Sequence, residues 1–311
     1  MAKPIIQKTL ASVSEILLGK RHQIELALTC ILAKGHLLIE DLPGMGKTTL
    51  SQALAAVLGL SYQRVQFTSD LLPADIIGVS IFNQQTTQFE FRQGPVFSQL
   101  LLADEINRAT PKTQSALLEA MEERQVTVDG KSWPLPQPFF VIATQNPSEQ
   151  MGTFPLPESQ LDRFLMRISL GYPDAEVEKE LMKGKDRRAM IANLDSAMSI
   201  EELIALQKKV YAIHASDAVI DYIQRLVAFS RYDTKLGFGL SPRATLSLMQ
   251  SAKAYALVKG RDHVIPEDVH TVLEPVAGHL LQSSIDITGH QGISVVQQML
   301  ESVDVINGKL L

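Results

Sequence analysis

The sequence predicts an α/β fold in which a five-stranded parallel sheet is flanked by helices and followed by a C-terminal all-helical domain. Within residues 1–172, short continuous apolar runs alternate with helical patterns, as expected for parallel strands buried on both faces. A glycine-bearing turn separates the first strand from the next helix. Strand signals stop after residue 172, so residues 173–311 are predicted to form the helical domain.

The individual elements follow from local patterns. Amphipathic helices are predicted between residues 5 and 33, and two further helices at residues 50–58 and 111–123. The five predicted strands are residues 36–40, 63–67, 100–103, 139–143 and 165–170.

Two segments interrupt the alternation of strands and helices. Polar and apolar residues alternate in residues 79–91, which is a strand-like pattern. Residues 125–135 have Asp129-Gly130 at their centre, and Asp-Gly between alternating runs is a strong hairpin signal.

Composition restricts the class of protein. The chain has 311 residues, which favours two domains, and its 45% hydrophobic and 20% charged residues exclude disordered and fibrous classes. A net charge of -5 argues against general binding of nucleic acid. The single cysteine, Cys30, excludes a disulfide within the chain. With no signal-like or membrane-spanning apolar run, these features predict a cytoplasmic protein without direct membrane insertion.

The turn after the first strand has the composition of a phosphate-binding loop. Its residues are Asp41-Leu42-Pro43-Gly44-Met45-Gly46-Lys47-Thr48. Glycines let backbone amides curve around phosphate oxygens, and the following helix N-terminus favours negative charge. Lys47 is predicted to reach the β- and γ-phosphates, and the Thr48 hydroxyl to bind Mg²⁺. Asp41 stands where the strict pattern has glycine, at the strand exit, so binding is expected to survive.

Two carboxylates follow the apolar strand at residues 100–103. Asp104 is predicted to lie near the metal, and Glu105 to polarise a water for attack on the γ-phosphate. The predicted metal ligands are therefore Thr48 and Asp104. The predicted nucleotide-binding residues are Pro43, Gly44, Met45, Gly46, Lys47, Thr48, Thr49 and Asp104.

Three further polar residues complete the candidate site. Asn146 follows the strand at residues 139–143, and its amide could orient the attacking water together with Glu105. Arg163 precedes the last predicted strand, and Arg243 starts a helix in the second domain. Guanidinium groups can neutralise charge on the γ-phosphate, and one can come from a neighbouring subunit.

Taken together, these segments closely resemble the MoxR family of AAA+ ATPases. The matching runs are residues 40–48, Asp104-Glu105-Ile106-Asn107-Arg108-Ala109, Ala143-Thr144-Gln145-Asn146-Pro147, Leu161-Asp162-Arg163-Phe164 and Ser241-Pro242-Arg243-Ala244. The resemblance implies a P-loop AAA+ core over residues 1–172 and a helical lid over residues 173–311. It assigns Lys47 and Thr48 to Walker A, Asp104 and Glu105 to Walker B, Asn146 to sensor 1, Arg163 to the arginine finger and Arg243 to sensor 2.

The resemblance also implies cofactors and partners. It implies ATP and Mg²⁺, a homo-oligomeric, hexameric ring, and a protein client. It identifies residues 79–91 as the helix-2 insert and residues 125–135 as the hairpin before sensor 1, both facing the pore in related rings. The family is similar to chaperones that act with von Willebrand factor A domain proteins, often in metal-cofactor insertion or complex assembly.

Three alternatives stay open from the residues. A nucleic-acid motor of the same fold is disfavoured because the hairpin has only Arg124 and Lys131 beside several acidic residues. A nucleotide-gated binding module without turnover is disfavoured by the intact Glu105. A small-molecule kinase is disfavoured because no pocket for a phosphate acceptor can be recognised in the sequence.

Overall fold

The computed structural model describes residues 2–147, 152–184, 187–232, 239–281 and 295–305. Their strands are β1 Leu37–Glu40, β2 Tyr62–Gln66, β3 Gly78–Asn83, β4 Gln88–Gln93, β5 Leu100–Asp104, β6 Gln125–Val128, β7 Lys131–Pro134, β8 Phe140–Gln145 and β9 Met166–Ile168. Five of them form one parallel sheet in the order β2-β5-β8-β1-β9. The prediction of a five-stranded parallel sheet is confirmed.

The last strand is shorter than the predicted range of residues 165–170. Only residues Met166–Ile168 pair with β1, from Leu37 to Ile39. Beyond them the chain turns, because the backbone N–H groups of Leu170 and Gly171 donate to the Asp41 carboxylate. Gly171 has a positive φ of 64°, which ends the extended conformation.

Both interrupting segments form antiparallel hairpins that stand outside the parallel sheet. β3 pairs with β4 from Gly78 opposite Gln93 to Asn83 opposite Gln88. β6 pairs with β7 around a turn in which Asp129 and Gly130 both have positive φ, as the Asp-Gly signal requires. The stacked rings of Phe91 and Trp133, with centroids 4.9 Å apart, connect the two hairpins.

Helices cover both faces of the sheet and make up the C-terminal region. They are α1 Ala2–Ile16, α2 Arg21–Leu32, α3 Lys47–Val57, α4 Pro73–Ile77, α5 Pro111–Glu123, α6 Glu158–Leu161, α7 Ala175–Met182, α8 Arg187–Ala192, α9 Ile200–Tyr211, α10 Asp217–Tyr232, α11 Pro242–Val258, α12 Pro266–Leu281 and α13 Val295–Ser302. Ser199 and Glu202 form a capping box at the start of α9. The Ser241 hydroxyl caps α11, where Pro242 takes the first helical position.

Alternate residues along each central strand enter two different apolar cores. Leu37 and Ile39 of β1 join a core that also contains α1, α2, α3 and the C-terminal helices. Leu38 joins a second core with α5 and the hairpin β6–β7 on the other sheet face. The first core is continuous between the sheet and the C-terminal helices, where α11 packs against α2 and α12 packs against β9. The division at residue 172 stays a prediction.

None of the helices in the described part of the chain has the length and apolar character needed to cross a bilayer.

Candidate functional site

The predicted phosphate-binding loop connects β1 to α3 at the carboxyl edge of the sheet. Gly44 and Gly46 have φ values of 83° and 94°, a region that side chains with a Cβ rarely adopt. At Gly46 a Cβ would also lie 2.9 Å from the Leu17 side chain. Sequence therefore determines this backbone path through its glycines, and α3 begins directly after it at Lys47.

Lys47 lies between the ends of two neighbouring strands. Its Nζ donates to the backbone carbonyl of Asp41 at 2.6 Å and to that of Gln145 at 3.2 Å. These carbonyls follow β1 and end β8, respectively. An ammonium group in this position, beside the loop amides at a helix N-terminus, is suited to an anionic ligand.

The Asp41 side chain is hydrogen-bonded mainly to the segment that follows β9, outside the loop. One carboxylate oxygen accepts hydrogen bonds from the backbone N–H groups of Leu170 and Gly171, at 2.6 and 2.7 Å, and from the Ser169 hydroxyl at 3.1 Å. The other accepts from the Leu42 N–H at 2.9 Å. Asp41 thus anchors the chain leaving β9, which explains an aspartate where the strict loop pattern has glycine.

Asp104 is buried at the end of β5. Its Oδ1 accepts from the Thr144 hydroxyl at 2.6 Å, and its Oδ2 accepts from two Arg64 nitrogens at 2.7 and 3.1 Å. Thr144 precedes Gln145, so Lys47 and Asp104 contact adjacent residues of β8. The structure therefore brings the predicted Walker A lysine and the predicted Walker B aspartate to one end of the sheet.

Glu105 has a left-handed backbone conformation, with φ 56° and ψ 50°. Its N–H donates to the Thr144 hydroxyl at 2.8 Å. Its carboxylate accepts a hydrogen bond from the Gln66 amide at 2.7 Å and forms an ion pair with Arg108 at 3.0 Å. The strained backbone turns this carboxylate out of the strand direction while neighbouring polar groups hold it in place.

Asn146 directly follows β8 and is buried, with 4% of its surface exposed. It belongs to the same strand end as Thr144 and Gln145. The predicted residues of the loop, the acidic pair and Asn146 therefore share the carboxyl edge of the sheet, where α/β folds bind ligands.

The two predicted arginines lie together at a different place. Arg163 donates from Nη1 to the Leu118 carbonyl at 2.8 Å and pairs with Glu122 at 2.6 Å. Arg243 lies 3.4 Å from the other oxygen of Glu122 and 3.9 Å from Asp162. Burial raises the pKa of the Asp162 carboxyl, and Arg243 partly opposes this rise.

This arginine pair occupies the amino edge of the sheet. The cavity that Arg163 and Arg243 line also contains Gly35 and His36, which precede β1, whereas Asp41 follows β1. His36 is buried there, and its Nδ1 accepts from the Val141 N–H at 3.0 Å. Four residues of strand span about 13 Å. Arg163 and Arg243 are therefore separated from the phosphate-binding loop of their own chain by the length of the sheet.

Several polar contacts in the site were not foreseen from the sequence. Arg64 and Gln66 of β2 contact the acidic pair, and Glu122 of α5 joins both arginines. Arg64 and Gln66 are two residues apart on β2, so their side chains point to the same face of the strand next to β5. This spacing is a sequence signal that could have indicated both contacts. Glu122 has no such signal, because 41 and 121 residues separate it from its two partners.

The residues present fit a magnesium nucleotide. The glycine-shaped loop and Lys47 provide an anion cradle, and the Thr48 hydroxyl makes no hydrogen bond to any other residue that the structure describes. Hard oxygen donors from Thr48 and Asp104 suit Mg²⁺. The parallel sheet, the loop with its neighbouring carboxylates and the helical C-terminal region together place the chain in the class of AAA ATPases.

Comparisons with known proteins agree with this class. Residues 36–166 match the ATPase family associated with various cellular activities (AAA), and residues 228–299 match the AAA lid domain. The chain is 44% identical over 304 residues to the uncharacterized protein YeaC of Bacillus subtilis, covering 97% of this chain and 95% of that protein. It is 41% identical over 310 residues to the chaperone MoxR1 of Mycobacterium tuberculosis, covering 96% and 81%.

Two further matches extend the comparison. Protein MoxR of Paracoccus denitrificans is 33% identical, with 86% of each chain covered. The crystal structure of a candidate ATPase from Cytophaga hutchinsonii superposes with a TM-score of 0.86 at 36% identity, covering 97% of this chain and 95% of that one. The chain belongs to the MoxR family of AAA+ ATPases.

Proposed function

We propose that this protein hydrolyses ATP to ADP and phosphate in a homo-oligomeric ring and uses the reaction to remodel partner proteins. The observation that carries the proposal is that Lys47, at the ends of β1 and β8, lies at the same edge of the sheet as Asp104 and Glu105, which contact the neighbouring Thr144. This arrangement provides an anion cradle, metal ligands and a base at one edge of the sheet.

Each residue has a chemical role in this proposal. The amides of residues 43–49 and the Lys47 ammonium bind the phosphates, and Thr48 and Asp104 hold Mg²⁺, which neutralises phosphate charge when bound. Glu105 accepts a proton from the attacking water, and Asn146 orients that water. Release of Glu105 from Gln66 and Arg108 makes its carboxylate available for this proton transfer.

We further propose that Arg163 and Arg243 both act on the nucleotide of a neighbouring subunit. Neither can reach the loop of its own chain, because β1 separates the two edges of the sheet. The cavity around them has five positive side chains, Lys34, Arg124, Arg163, Arg243 and Lys253, against the negative Glu122 and Asp162. Such an excess of positive charge suits a neighbour's phosphates.

Phosphate release is the direct test of turnover. Glu105→Gln is expected to lower kcat by at least about a hundredfold while ATP binding is retained, because the base is lost and the cradle is intact. Lys47→Ala serves as the variant that loses binding. Equal rates for the wild type and Glu105→Gln would instead support a nucleotide-gated module without turnover.

Dependence on protein concentration tests the ring. Activity per subunit is expected to fall on dilution, since a single chain lacks the arginines at its own loop. Analytical ultracentrifugation over the same concentrations should show dissociation in parallel. A constant specific activity in a dissociated sample would contradict the action of both arginines across a subunit boundary.

The client is proposed to be a protein. The hairpin β3–β4 exposes Phe82 and Phe89, whose rings are 5.3 Å apart, at 49% and 73% of their surface. Exposed apolar side chains of this kind are suited to binding other proteins. The relative named chaperone MoxR1 supports a client of this class. By family resemblance, we propose a von Willebrand factor A domain protein, a role in metal-cofactor insertion and a cytoplasmic location.

Co-purification with Glu105→Gln tests the client. Rings that bind ATP without hydrolysing it are expected to retain their targets, and Phe89→Ala in the same background should release them. Salt-dependent capture of DNA by the same protein, with no protein retained, would favour a nucleic-acid motor.

A further inference from the structure

Glu122 occupies a position that the proposed arginine roles do not explain. It is on the last turn of α5, and one of its carboxylate oxygens lies 2.6 Å from Arg163 Nη1 while the other lies 3.4 Å from Arg243 Nη1. One carboxylate therefore holds an arginine from the sheet region and an arginine from the C-terminal helices at the same point.

The geometry leaves the outer side of each guanidinium available. Arg163 uses Nη1 for both Glu122 and the Leu118 carbonyl, and Arg243 uses Nη1 for Glu122 and Nε for Asp162. The Nη2 of each arginine has no hydrogen-bond partner in the described part of the chain. Arginine has five donors in a planar fork, so one edge can bind a carboxylate while the other binds a phosphate.

We infer that Glu122 is a positioning residue for hydrolysis in the neighbouring subunit: it aligns Arg163 and Arg243 so that both present Nη2 to the same γ-phosphate. The inference rests on the proposed action of these arginines across the subunit boundary. Glu122 itself contacts no nucleotide. It acts by fixing the spacing between an arginine of the AAA+ core and an arginine of the lid.

The charges around Glu122 indicate that it positions the two arginines and does not cancel the positive charge of the cavity. Its carboxylate compensates part of the positive charge of two guanidinium groups, which would otherwise repel each other at short distance. The cavity retains an excess of positive side chains after this compensation. Removal of Glu122 is thus expected to let the arginines move apart, while attraction for a phosphate is kept.

The kinetic signature follows from this role. Glu122→Gln is expected to lower kcat about tenfold and to change the KM for ATP less than about twofold, because charge neutralisation at the γ-phosphate is greatest in the transition state. Glu123→Gln, on the adjacent exposed residue, makes the same change of charge and should retain the wild-type rate. Thermal unfolding of both variants should match the wild type, since Glu122 is a surface residue.

A mixing experiment separates action in the neighbour from action within the chain. Glu122→Gln subunits have an intact loop and misaligned arginines, whereas Lys47→Ala subunits have intact arginines and no functional loop. Co-assembled in equal amounts, they are expected to recover about a quarter of the wild-type rate, because random pairing places that share of intact loops against intact arginines. Size-exclusion chromatography of the mixture verifies that rings form.

Arg163→Ala mixed with Lys47→Ala is the matched control for the underlying arrangement. If Arg163→Ala is rescued and Glu122→Gln is not, Glu122 does not act through the arginines and the inference is overturned. If neither variant is rescued in intact rings, the proposed arrangement across the boundary fails as well. A Glu122→Gln rate equal to or above that of the wild type would also overturn the inference, since the carboxylate would then be neutral or inhibitory.

Discussion

Replacement of Asp41 by glycine, which creates the strict phosphate-loop pattern, is expected to destabilise the protein. The Asp41 side chain is 7% exposed and accepts hydrogen bonds from the backbone N–H groups of Leu170 and Gly171 at 2.6 and 2.7 Å. Both donors lose their partner in Asp41→Gly. Leu170 is 1% exposed, so its N–H is shielded from bulk water.

The magnitude can be worked from these contacts. An unsatisfied buried donor costs about 1–3 kcal/mol, and Leu170 belongs at the upper end of that range. Gly171 is only half-buried and adds about 1 kcal/mol, since water can reach it. Glycine in place of a side-chain residue costs roughly 0.5–1 kcal/mol in backbone entropy. We expect Asp41→Gly to lower the free energy of unfolding by about 4–5 kcal/mol and Asp41→Asn by about 1.5 kcal/mol, since asparagine keeps one acceptor oxygen.

Urea unfolding followed by far-ultraviolet circular dichroism measures this difference. Nucleotide is omitted and protein concentration is held constant, because both shift the apparent stability. Asp195→Gly, at an exposed loop residue, controls for the entropy of the added glycine. Nucleotide binding by Asp41→Gly should survive at low temperature, because Lys47 contacts the backbone carbonyl and not the carboxylate. A change below about 1 kcal/mol would refute the anchoring role.

Three further predictions concern the proposed metal site, the hairpins and pH. Arg64→Ala is expected to lower the Mg²⁺ concentration for half-maximal activity about threefold, because Arg64 competes with a cation for Asp104, as a Mg²⁺ titration would show. Phe91→Ala should shift the fluorescence of Trp133, the single tryptophan, to longer wavelength, and a double-mutant cycle should give about 1 kcal/mol of coupling. Burial lowers the pKa of His36 from 6.5 to about 4, so the unfolded state binds more protons in this range. Stability should fall as pH drops from 6.5 to 4, and His36→Gln should flatten this fall in urea midpoints.

Sequence patterns determined the interior of the sheet because strands β1, β5 and β8 are buried on both faces. The run Leu100–Ala103 is continuously apolar, and it became a central strand in which each residue is buried. The end of β9 could not be predicted, because it depends on hydrogen bonds from Leu170 and Gly171 to Asp41, about 130 residues earlier. Local patterns contain no information on such a contact.

The candidate site divides in the same way. The candidate phosphate-binding loop could be located in the sequence because a phosphate cradle needs a short continuous segment. The roles of Lys47 and Thr48 in it stay predictions. Family resemblance indicated Arg163 and Arg243 as candidate site residues. The sequence did not show that both contact Glu122. On the sequence of α5 alone, Glu122 is an ordinary charged residue on a solvent-exposed helix face.

In the proposed mechanism, the separation of the two edges of the sheet leaves a single subunit chemically incomplete. Lys47 lies beyond the carboxyl end of β1, and the arginine pair lies near the amino end of the same strand. Movement of Arg163 to its own loop would therefore require disruption of β1 and of its pairing with β8 and β9. Such a buried strand is too costly to open in each catalytic cycle. In the proposed ring, a second copy would supply the arginines without any change of fold. Because the two edges of the sheet differ, this contact would be head-to-tail and would extend to a third copy. Closure of that series into a ring would give each loop a neighbour's arginines and would couple hydrolysis in one subunit to the position of the next.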